Sequence, residues 1–597
     1  MPSAAPALSA LPSHRFDLVI RHGTVVDGTG AAPLQADVGI KDGRIQAIGP
    51  DLPAGLDEID ATGLLVTPGF VDVHTHYDGQ ASWDTRMWPS SLQGVTTAVM
   101  GNCGVGFAPC RAPDRETLIE LMEGVEDIPG AALAEGLAWG WESFPEYLDF
   151  LSSRQRDIDI AALLPHGALR VFAMGERAVR REAATPADLA LMTALVAQAL
   201  DAGAAGLSTS RTAAHRTIKG ELTPMFDAEA AELIALGAAL AGRPDAVFQM
   251  ISDFGDIDSE FEILARICRD TGCTGTLTVA QVHHKPQQHL QLLDKIAQAN
   301  AQGLRITGQV IARPVGVLLG FDTTLNPFSC RPSYSALATW PLAERVAQLR
   351  LPAVRQAILT EADHQPHVFM RYYGTRFDGM FPLCEPGAAE PNYLPQPTSS
   401  IAAQAARDGI DPAPWLYDHL LGQDGSALVY LPLANYREGN ALAIEALLSH
   451  PNTVPALGDG GAHVGTICDA SAHTFLLTEW VRERGRFSIE QAVQMLTQRP
   501  AQLYGLHDRG VLAVGARADI NLIDLAALAI EPPHLVRDLP AGGRRLLQGA
   551  CGYRATLVAG QVTYRDGVAT AALPGQVIRS GQIARPVAAT EAVTLSI

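Results

Sequence analysis

Apolar strand-like runs alternate with Ala/Leu-rich helical stretches along most of the chain, and this alternation limits the fold more than any other feature. The runs are TTAVMGN, IDIAALLPHG, AAGLSTS, AVFQMISD, GTLTVAQVHH, RITGQVIA and TVPALGDG. Helical stretches such as PADLALMTALVAQALDAG lie between several of them. Repeated β-then-α units of this size predict a parallel sheet with helices outside it, either a barrel or a doubly wound sheet.

The positions of unusual polar residues favour the barrel. Several of them stand at the carboxyl ends of the strand runs: His74, Cys103, His166, Ser208, His283 and Asp459. In a (β/α)8 barrel the active site is assembled at this end of the strands. We therefore predict an α/β fold whose main part is a (β/α)8 TIM barrel.

Both ends of the chain predict β structure. Short β-branched runs with Gly and Asp turns begin at Phe16, and the same texture returns in GVLAVGARADINLIDL and RATLVAGQVTYRDGVAT. We predict a small composite β-sandwich domain from residues 16–65 and 505–580, and a barrel from 66–504. A Pro- and aromatic-rich insertion at about 313–436 is expected to cover or shape the substrate site. We predict a disordered leader over 1–15 and a loosely ordered tail over 581–597.

Composition excludes several classes of protein. With 47% hydrophobic residues the chain is globular, and a net charge of -20 without a Lys/Arg-rich run argues against a nucleic-acid partner. No uninterrupted apolar stretch is long enough to predict a membrane span. Eight cysteines without paired spacing and the lack of a recognisable secretory signal predict a cytoplasmic location. A homo-oligomer is left open.

The run GFVDVHTH carries the strongest sign of a metal. His74 and His76 are spaced i, i+2 at the end of a strand, so both side chains emerge on one face and can share one ion. An isolated pair of this kind is more often structural. The apolar strand, the Pro-Gly turn before it and the Asp two residues after it resemble the first-strand motif of the amidohydrolase superfamily, and this resemblance favours the metal site instead.

Two motifs extend this interpretation to a known family. VTPGFVDVHTHYDG resembles the first-strand motif of the amidohydrolase superfamily, and with the β-rich ends the resemblance covers nearly the whole chain. GVTTAVMGNCGVGFAP resembles the second-strand GNCG motif of the N-acyl-D-amino-acid deacylase (D-aminoacylase) family. The resemblance implies that Cys103 is a metal ligand, which as a thiolate binds Zn²⁺ and is able to bridge two ions. A buried unreactive cysteine is the alternative.

Three further elements of that family have counterparts here. QVHHKP resembles its SHHK element, which implies His283 as a metal ligand and Lys285 as a substrate-carboxylate binder. ALGDGGAH matches the superfamily's catalytic aspartate, which implies Asp459 as metal ligand and proton-transfer group, with an exposed Asp-Gly turn as the alternative. LLPHGALR resembles the GHGxxR element and places His166 beside the substrate pocket, although a structural role is equally open.

The chain also departs from the family pattern. Where the family has a further histidine ligand, VFQMISDFGD carries Gln249, and an amide is a far weaker zinc ligand than imidazole. One or two Zn²⁺ ions are therefore expected, with other divalent metals left open. TGQVIARPVG replaces an aromatic substrate-holding element and introduces Arg313, which with Lys285 favours a carboxylate-bearing substrate.

The resemblance implies metal-dependent hydrolysis of a C–N amide bond in a small molecule, most directly an N-acyl (D-)amino acid, with Asp459 shuttling the proton. A cyclic-amide hydrolase of the dihydroorotase or hydantoinase type is one alternative, but no strand-end lysine corresponds to the bridging lysine such enzymes usually carry. A non-catalytic binding or assembly barrel is the other. It would not need metal-competent side chains at five strand-end positions.

Overall fold

Eight parallel strands form the central sheet of the computed structural model, which describes residues 16–364, 368–385, 388 and 390–581. Strands that are consecutive along the chain lie side by side in this sheet, from the first to the eighth. The predicted α/β barrel is therefore confirmed. The strands are β1 (Phe70–Asp72), β2 (Val95–Met100), β3 (Asp159–Pro165), β4 (Gly206–Arg211), β5 (Val247–Ser252), β6 (Thr274–Thr278), β7 (Ile306–Val310) and β8 (Thr453–Pro455).

The barrel strands are apolar on both faces because both faces are covered. Every residue of β2 and β3 is buried. Small and β-branched side chains fill the interior, where Val71, Val99, Leu163, Val247 and Val454 belong to one cluster. Two-sided burial of this kind replaces polar alternation with the continuous apolar runs seen in the sequence.

Helices follow the strands and cover the outside of the barrel. Three of them begin with reciprocal capping boxes, Ser143 with Glu146, Thr185 with Asp188 and Ser488 with Gln491. The principal outer helices are Arg115–Glu126, Phe144–Ser152, His166–Met174, Pro186–Asp201, Ala230–Gly237, Ile257–Thr271, Gln288–Ala301, Leu442–Ser449 and Ile489–Leu496. Shorter helices are Gln80–Trp83, Gly130–Gly136, Glu176–Val179, Ala472–Phe475, Leu476–Glu483 and Gln498–Leu503.

The two ends of the chain meet in one nine-stranded sheet, as the β-rich runs predict. The junction is antiparallel, with Leu522 opposite Val66. The strands are Phe16–Val25, Leu34–Lys41, Arg44–Gly49, Gly55–Asp60, Leu65–Pro68, Ile520–Ile523, Tyr553–Val558, Gln561–Arg565 and Val568–Ala569. Two small ribbons accompany it: Ala529–Ile530 with Ala550–Cys551, and His534–Leu539 with Gly543–Leu547. The proposed domain boundaries stay predictions.

The Pro- and aromatic-rich segment after β7 has secondary structure and an apolar cluster of its own. Phe321, Tyr417 and Val429 are buried in that cluster. Its strands Val315–Leu319, Phe381–Pro382 and Val429–Ala434 form a small antiparallel sheet. Its helices are Pro332–Ser335, Leu342–Leu349, Pro352–Thr360, Val368–Tyr373, Ile401–Asp408 and Pro412–Leu420. Its role at the substrate site stays a prediction.

Among the described residues, no helix combines the length and the apolar character needed to cross a bilayer. The predicted leader 1–15 and all of the predicted tail beyond residue 581 lie outside the described residues.

We expect a buried ion pair to tie the C-terminal segment to the barrel. Arg509 Nη1 lies 2.5 Å from Asp159 Oδ2, and both residues are buried. Arg509→Ala leaves that carboxylate with less compensation, so the free energy of unfolding should fall by about 3 kcal/mol. Thermal or denaturant unfolding measures the loss. Arg554→Ala, which removes a partly exposed pair with Asp524, is the control and should change stability little; equal effects of the two changes would contradict the expectation.

Candidate metal centre

Three side chains converge at the carboxyl end of the barrel. His74 and His76 follow β1, and Cys103 follows β2. Their ligand atoms lie within 4.8 Å of one another, and all three side chains are buried. His74 Nε2 is 3.3 Å from Cys103 Sγ. The structure therefore brings together the histidine pair and the cysteine of the GNCG motif.

The backbone at Cys103 is held in an unusual conformation. Its φ is +56°, in the left-handed region that residues other than glycine rarely adopt. Its amide N–H donates to Gln249 Oε1 at 2.9 Å. Gln249, which lies on β5, thus stabilises the strained turn through this hydrogen bond. It stands where the family pattern has a histidine ligand. Strain of this kind persists where the surrounding contacts over-determine it, which is common at active sites.

Asp459 reaches the same point from the loop after β8. Its Oδ1 lies 3.6 Å from His74 Nε2 and 3.7 Å from His76 Nε2. This oxygen is buried and has no hydrogen-bond partner among the described residues. The loop passes close to the barrel wall, since a Cβ added at Gly458 would lie 2.0 Å from Asp72 Oδ2. Glycine is required there for the approach that delivers Asp459.

The donor set fits a zinc ion. Tetrahedral zinc with nitrogen and sulfur ligands has donor atoms about 3.3–3.6 Å apart, given bond lengths of about 2.0–2.3 Å. His74 Nε2 lies 3.3 Å from Cys103 Sγ and 3.6 Å from Asp459 Oδ1. The orphaned Asp459 oxygen provides a fourth donor. These four side chains would hold the ion.

Each imidazole has a different partner on its outer nitrogen. His74 Nδ1 lies 2.5 Å from Gln309 Oε1, a neutral amide on β7. His76 Nδ1 lies 3.2 Å from Glu126 Oε1, at the end of the helix that follows β2. The other Glu126 oxygen lies 3.6 Å from His463 Nε2. These partners leave Nε2 of each imidazole facing the ligand cluster.

Burial shifts the pKa of every member of the cluster toward its neutral form. It lowers the pKa of His74 to about 4 and that of His76 well below its ordinary value. It raises the pKa of the Cys103 thiol and of the Asp459 carboxyl well above their ordinary values. Neutral imidazole is the form that binds a metal, whereas the thiol and carboxyl must release protons to do so.

Two predicted site residues, His283 and Lys285, lie on the loop after β6. His283 is part-exposed, and burial followed by the charges of Arg376 and Arg437 lowers its pKa. It is not part of the three-residue ligand group found among the described residues. Lys285 Nζ donates to the backbone carbonyls of Asp253 at 3.0 Å and Phe254 at 3.3 Å. The metal role of His283 and the anion role of Lys285 stay predictions.

Arg313 is buried and engaged with protein groups. Its guanidinium lies 2.6 Å from Asp469 Oδ1, donates to the Cys468 carbonyl, and stacks 3.7 Å from the centre of the Tyr393 ring.

His166 also has both ring nitrogens in contact with protein partners. Nδ1 is 2.9 Å from Thr209 Oγ1, and Nε2 is 2.9 Å from Glu232 Oε1. Glu232 also contacts Arg170 at 3.3 Å. These contacts connect the start of the helix after β3 with β4 and with the helix that follows β4. They agree with a structural role for His166, the alternative to a place beside the substrate.

Sequence reasoning missed three members of the site. Gln309 lies in TGQVIARPVG, a run whose sequence signal is its departure from the family pattern. Glu126 is the last residue of an amphipathic helix that contains no motif. His463 had a usable signal, since it follows Asp459 in GDGGAH. Its φ of +48° marks one of three strained positions in the loop after β8, where Leu457 has a φ of +61° and Asp459 a φ of +46°.

Comparison with known proteins places this chain in a class. The amidohydrolase family matches residues 57–564, and the chain belongs to that family. It is similar to N-acyl-D-aspartate deacylase of Alcaligenes xylosoxydans xylosoxydans, at 28% identity over 578 residues and 95% of each chain. It is also similar to N-acyl-D-glutamate deacylase of the same organism, at 28% identity over 513 residues, 85% of this chain and 88% of the relative.

A solved structure has the same fold. It is N-acyl-D-glutamate deacylase from Bordetella bronchiseptica, in complex with zinc and a phosphonate inhibitor. The TM-score is 0.61 at 24% identity, and the match covers 94% of this chain and 99% of the other. At this identity the likeness concerns the fold.

We expect zinc affinity to depend on Cys103 and to rise with pH. The buried thiol and the Asp459 carboxyl hold protons in the metal-free protein, and binding must displace them, so affinity should increase as pH rises. Cys103→Ser should weaken binding at least about tenfold and reduce the number of protons released. Calorimetry in buffers of different ionisation enthalpy measures both. Cys110→Ser, another buried cysteine on the following loop, is the control; equal zinc affinities of the two variants would exclude Cys103 as a ligand.

Proposed function

We propose that this protein is a metal-dependent amidohydrolase that removes the acyl group from an N-acyl amino acid, most directly an N-acyl-D-amino acid. The observation that carries the proposal is the convergence of His74, His76 and Cys103, with Asp459 Oδ1 3.6–3.7 Å from Nε2 of the two histidines. Membership of the amidohydrolase family and the names of the full-length relatives support the reaction class.

We further propose one zinc ion, held by these four side chains. Bound there, the ion would lower the pKa of a water molecule and polarise the amide carbonyl. Gln249 stands where the resemblance implies a further histidine, and its Oε1 is already engaged by the Cys103 amide. His283, the other ligand expected for a second ion, lies outside the cluster of described ligands. Both observations favour a single ion.

Asp459 is the proton-transfer group in this proposal. It approaches the cluster from the loop after β8, opposite the histidine pair. Burial raises the pKa of its carboxyl, because charge is costly in this environment. A carboxylate so placed accepts a proton from the attacking water and passes it to the leaving amine nitrogen. No second acid or base is required.

The substrate class follows from the relatives and from the basic side chains near the barrel mouth. The two full-length relatives are deacylases of N-acyl-D-aspartate and N-acyl-D-glutamate by name. We propose that Lys285 binds the substrate carboxylate, exchanging its present carbonyl contacts for the anion. Arg313 and His166 are proposed to hold the pocket wall, since Asp469 and Glu232 already engage them. The cytoplasmic location and a homo-oligomer stay predictions.

A substrate panel tests the proposed reaction. N-acetyl and N-long-acyl derivatives of D-aspartate, D-glutamate and neutral D-amino acids should be compared with the L-enantiomers and with cyclic imides. We expect the zinc enzyme to release free amino acid from D-substrates, because the similar full-length proteins carry that specificity in their names. Ninhydrin or chiral chromatography detects the product. Hydrolysis of cyclic imides alone would favour the hydantoinase-type alternative.

Asp459→Asn should separate metal binding from turnover. His74, His76 and Cys103 remain as ligands, so zinc should still bind at saturating concentration. Loss of the proton-transfer group should lower kcat by about 10²–10⁴-fold. Elemental analysis and steady-state kinetics check the two effects. Asp524→Asn, a part-exposed position in the terminal β region, is the control; full activity of the Asp459 variant would refute its assignment.

A further inference from the structure

Glu126 is a buried carboxylate that the mechanism above does not use. It is the last residue of the helix Arg115–Glu126 and is 1% exposed. Its Oε2 has no hydrogen-bond partner among the described residues. An ionised carboxylate in such surroundings is costly, so it takes up a proton unless a positive charge or a metal centre balances it.

Two imidazoles flank this carboxylate. Oε1 lies 3.2 Å from His76 Nδ1, and Oε2 lies 3.6 Å from His463 Nε2. Both are close charge contacts, and neither His76 Nδ1 nor Glu126 Oε2 makes a hydrogen bond among the described residues. The opposite nitrogen of His76 lies 3.7 Å from Asp459 Oδ1, on the side of the ligand cluster. One imidazole therefore stands between Glu126 and the proposed ion position.

We propose that Glu126 is a positioning residue of the metal centre, which orients the His76 imidazole through Nδ1 and balances the charge of a cation bound at Nε2. This proposal rests on the zinc site of the proposed function, but not on its substrate. A carboxylate behind a metal-bound histidine fixes the tautomer and makes the imidazole a stronger donor. The cation in turn compensates the buried Glu126 charge.

The two histidines are then unequal ligands. His74 has the neutral Gln309 amide behind it, at 2.5 Å, whereas His76 has a carboxylate. We assign the stronger donor character to His76. His463, whose side chain is 26% exposed, contacts the second oxygen of Glu126 and limits its rotation. The left-handed backbone of His463 brings its ring back toward the helix end.

A second ion between Glu126 and His463 is the competing explanation for the unpartnered oxygen. It would need further donors at ligand distance, and the only three-residue ligand group among the described residues is His74, His76 and Cys103. The outer-partner role requires no additional ligand. The two explanations differ in stoichiometry: one zinc per chain or two.

The test uses the zinc holoenzyme and the variant Glu126→Gln, which keeps the shape and removes the charge. We expect zinc affinity, measured by competition with a chromophoric chelator, to fall by about 10–100-fold. The visible absorption of the Co²⁺-substituted protein should shift as the donor strength of His76 changes. Glu120→Gln is the matched control on the same helix, where Glu120 pairs with Lys219 at the surface. Its affinity and Co²⁺ spectrum should equal those of the wild type.

Unchanged zinc affinity and an unchanged Co²⁺ spectrum in Glu126→Gln would overturn the proposal. Two zinc ions in the wild type and one in the variant would overturn it too, in favour of direct ligation. If Glu126→Gln does not fold, Glu126→Asp keeps the charge but shortens the reach, and wild-type affinity in that variant would count against the contact. None of these measurements includes an amide substrate, so a wrong substrate class would leave their result intact.

Discussion

Two backbone hydrogen bonds join the loop after the first barrel strand to the loop after the last. The Asp459 N–H donates to the His74 carbonyl at 3.1 Å, and the His76 N–H donates to the Gly460 carbonyl at 2.8 Å. They connect the two strands that are farthest apart in sequence among the eight. These bonds join the backbones of His74, His76 and Asp459, so the contact between the first and last barrel strands also positions the proposed ligands. Displacement of either loop would separate Asp459 from the histidine pair.

The side chains of the site are largely shielded from water, which would otherwise solvate their charged forms. His74, His76 and Cys103 are almost fully buried, and Glu126 lies behind them. Burial disfavours the charged form of each group, so without a cation the site favours neutral imidazoles and protonated acids. A divalent cation held by these side chains would favour the thiolate and the carboxylates instead. The low-dielectric surroundings would also strengthen the electrostatic effect of such an ion.

The local sequence pattern was sufficient to predict the first two proposed metal ligands, His74 and His76. Side chains two residues apart on an extended strand lie on the same face. The backbone geometry alone therefore places His74 and His76 on one face. The roles of Cys103 and Asp459 were implied by the resemblance of their motifs to a known family. Both residues stand at strand ends, and parallel strands in a barrel present all their carboxyl ends to one rim. The fold class followed from the alternation of buried runs and helical stretches. These features depend on short stretches of the chain, or on the general property of the barrel fold that its active site lies at the carboxyl ends of the strands.

Other features depend on side-chain contacts between segments far apart in sequence. Glu126 and His76 are separated by fifty residues and share no motif, and Gln309 contacts His74 across the barrel. His283 was assigned as a ligand by its motif; it does not belong to the group of His74, His76 and Cys103, and its metal role stays a prediction. The sequence by itself determined the barrel, the paired histidines and the strand-end positions of Cys103 and Asp459, because these depend on local periodicity. Only the tertiary structure decided which carboxylate and which amides stand behind the ligands, because that is set by the packing of loops and helices against the closed rim.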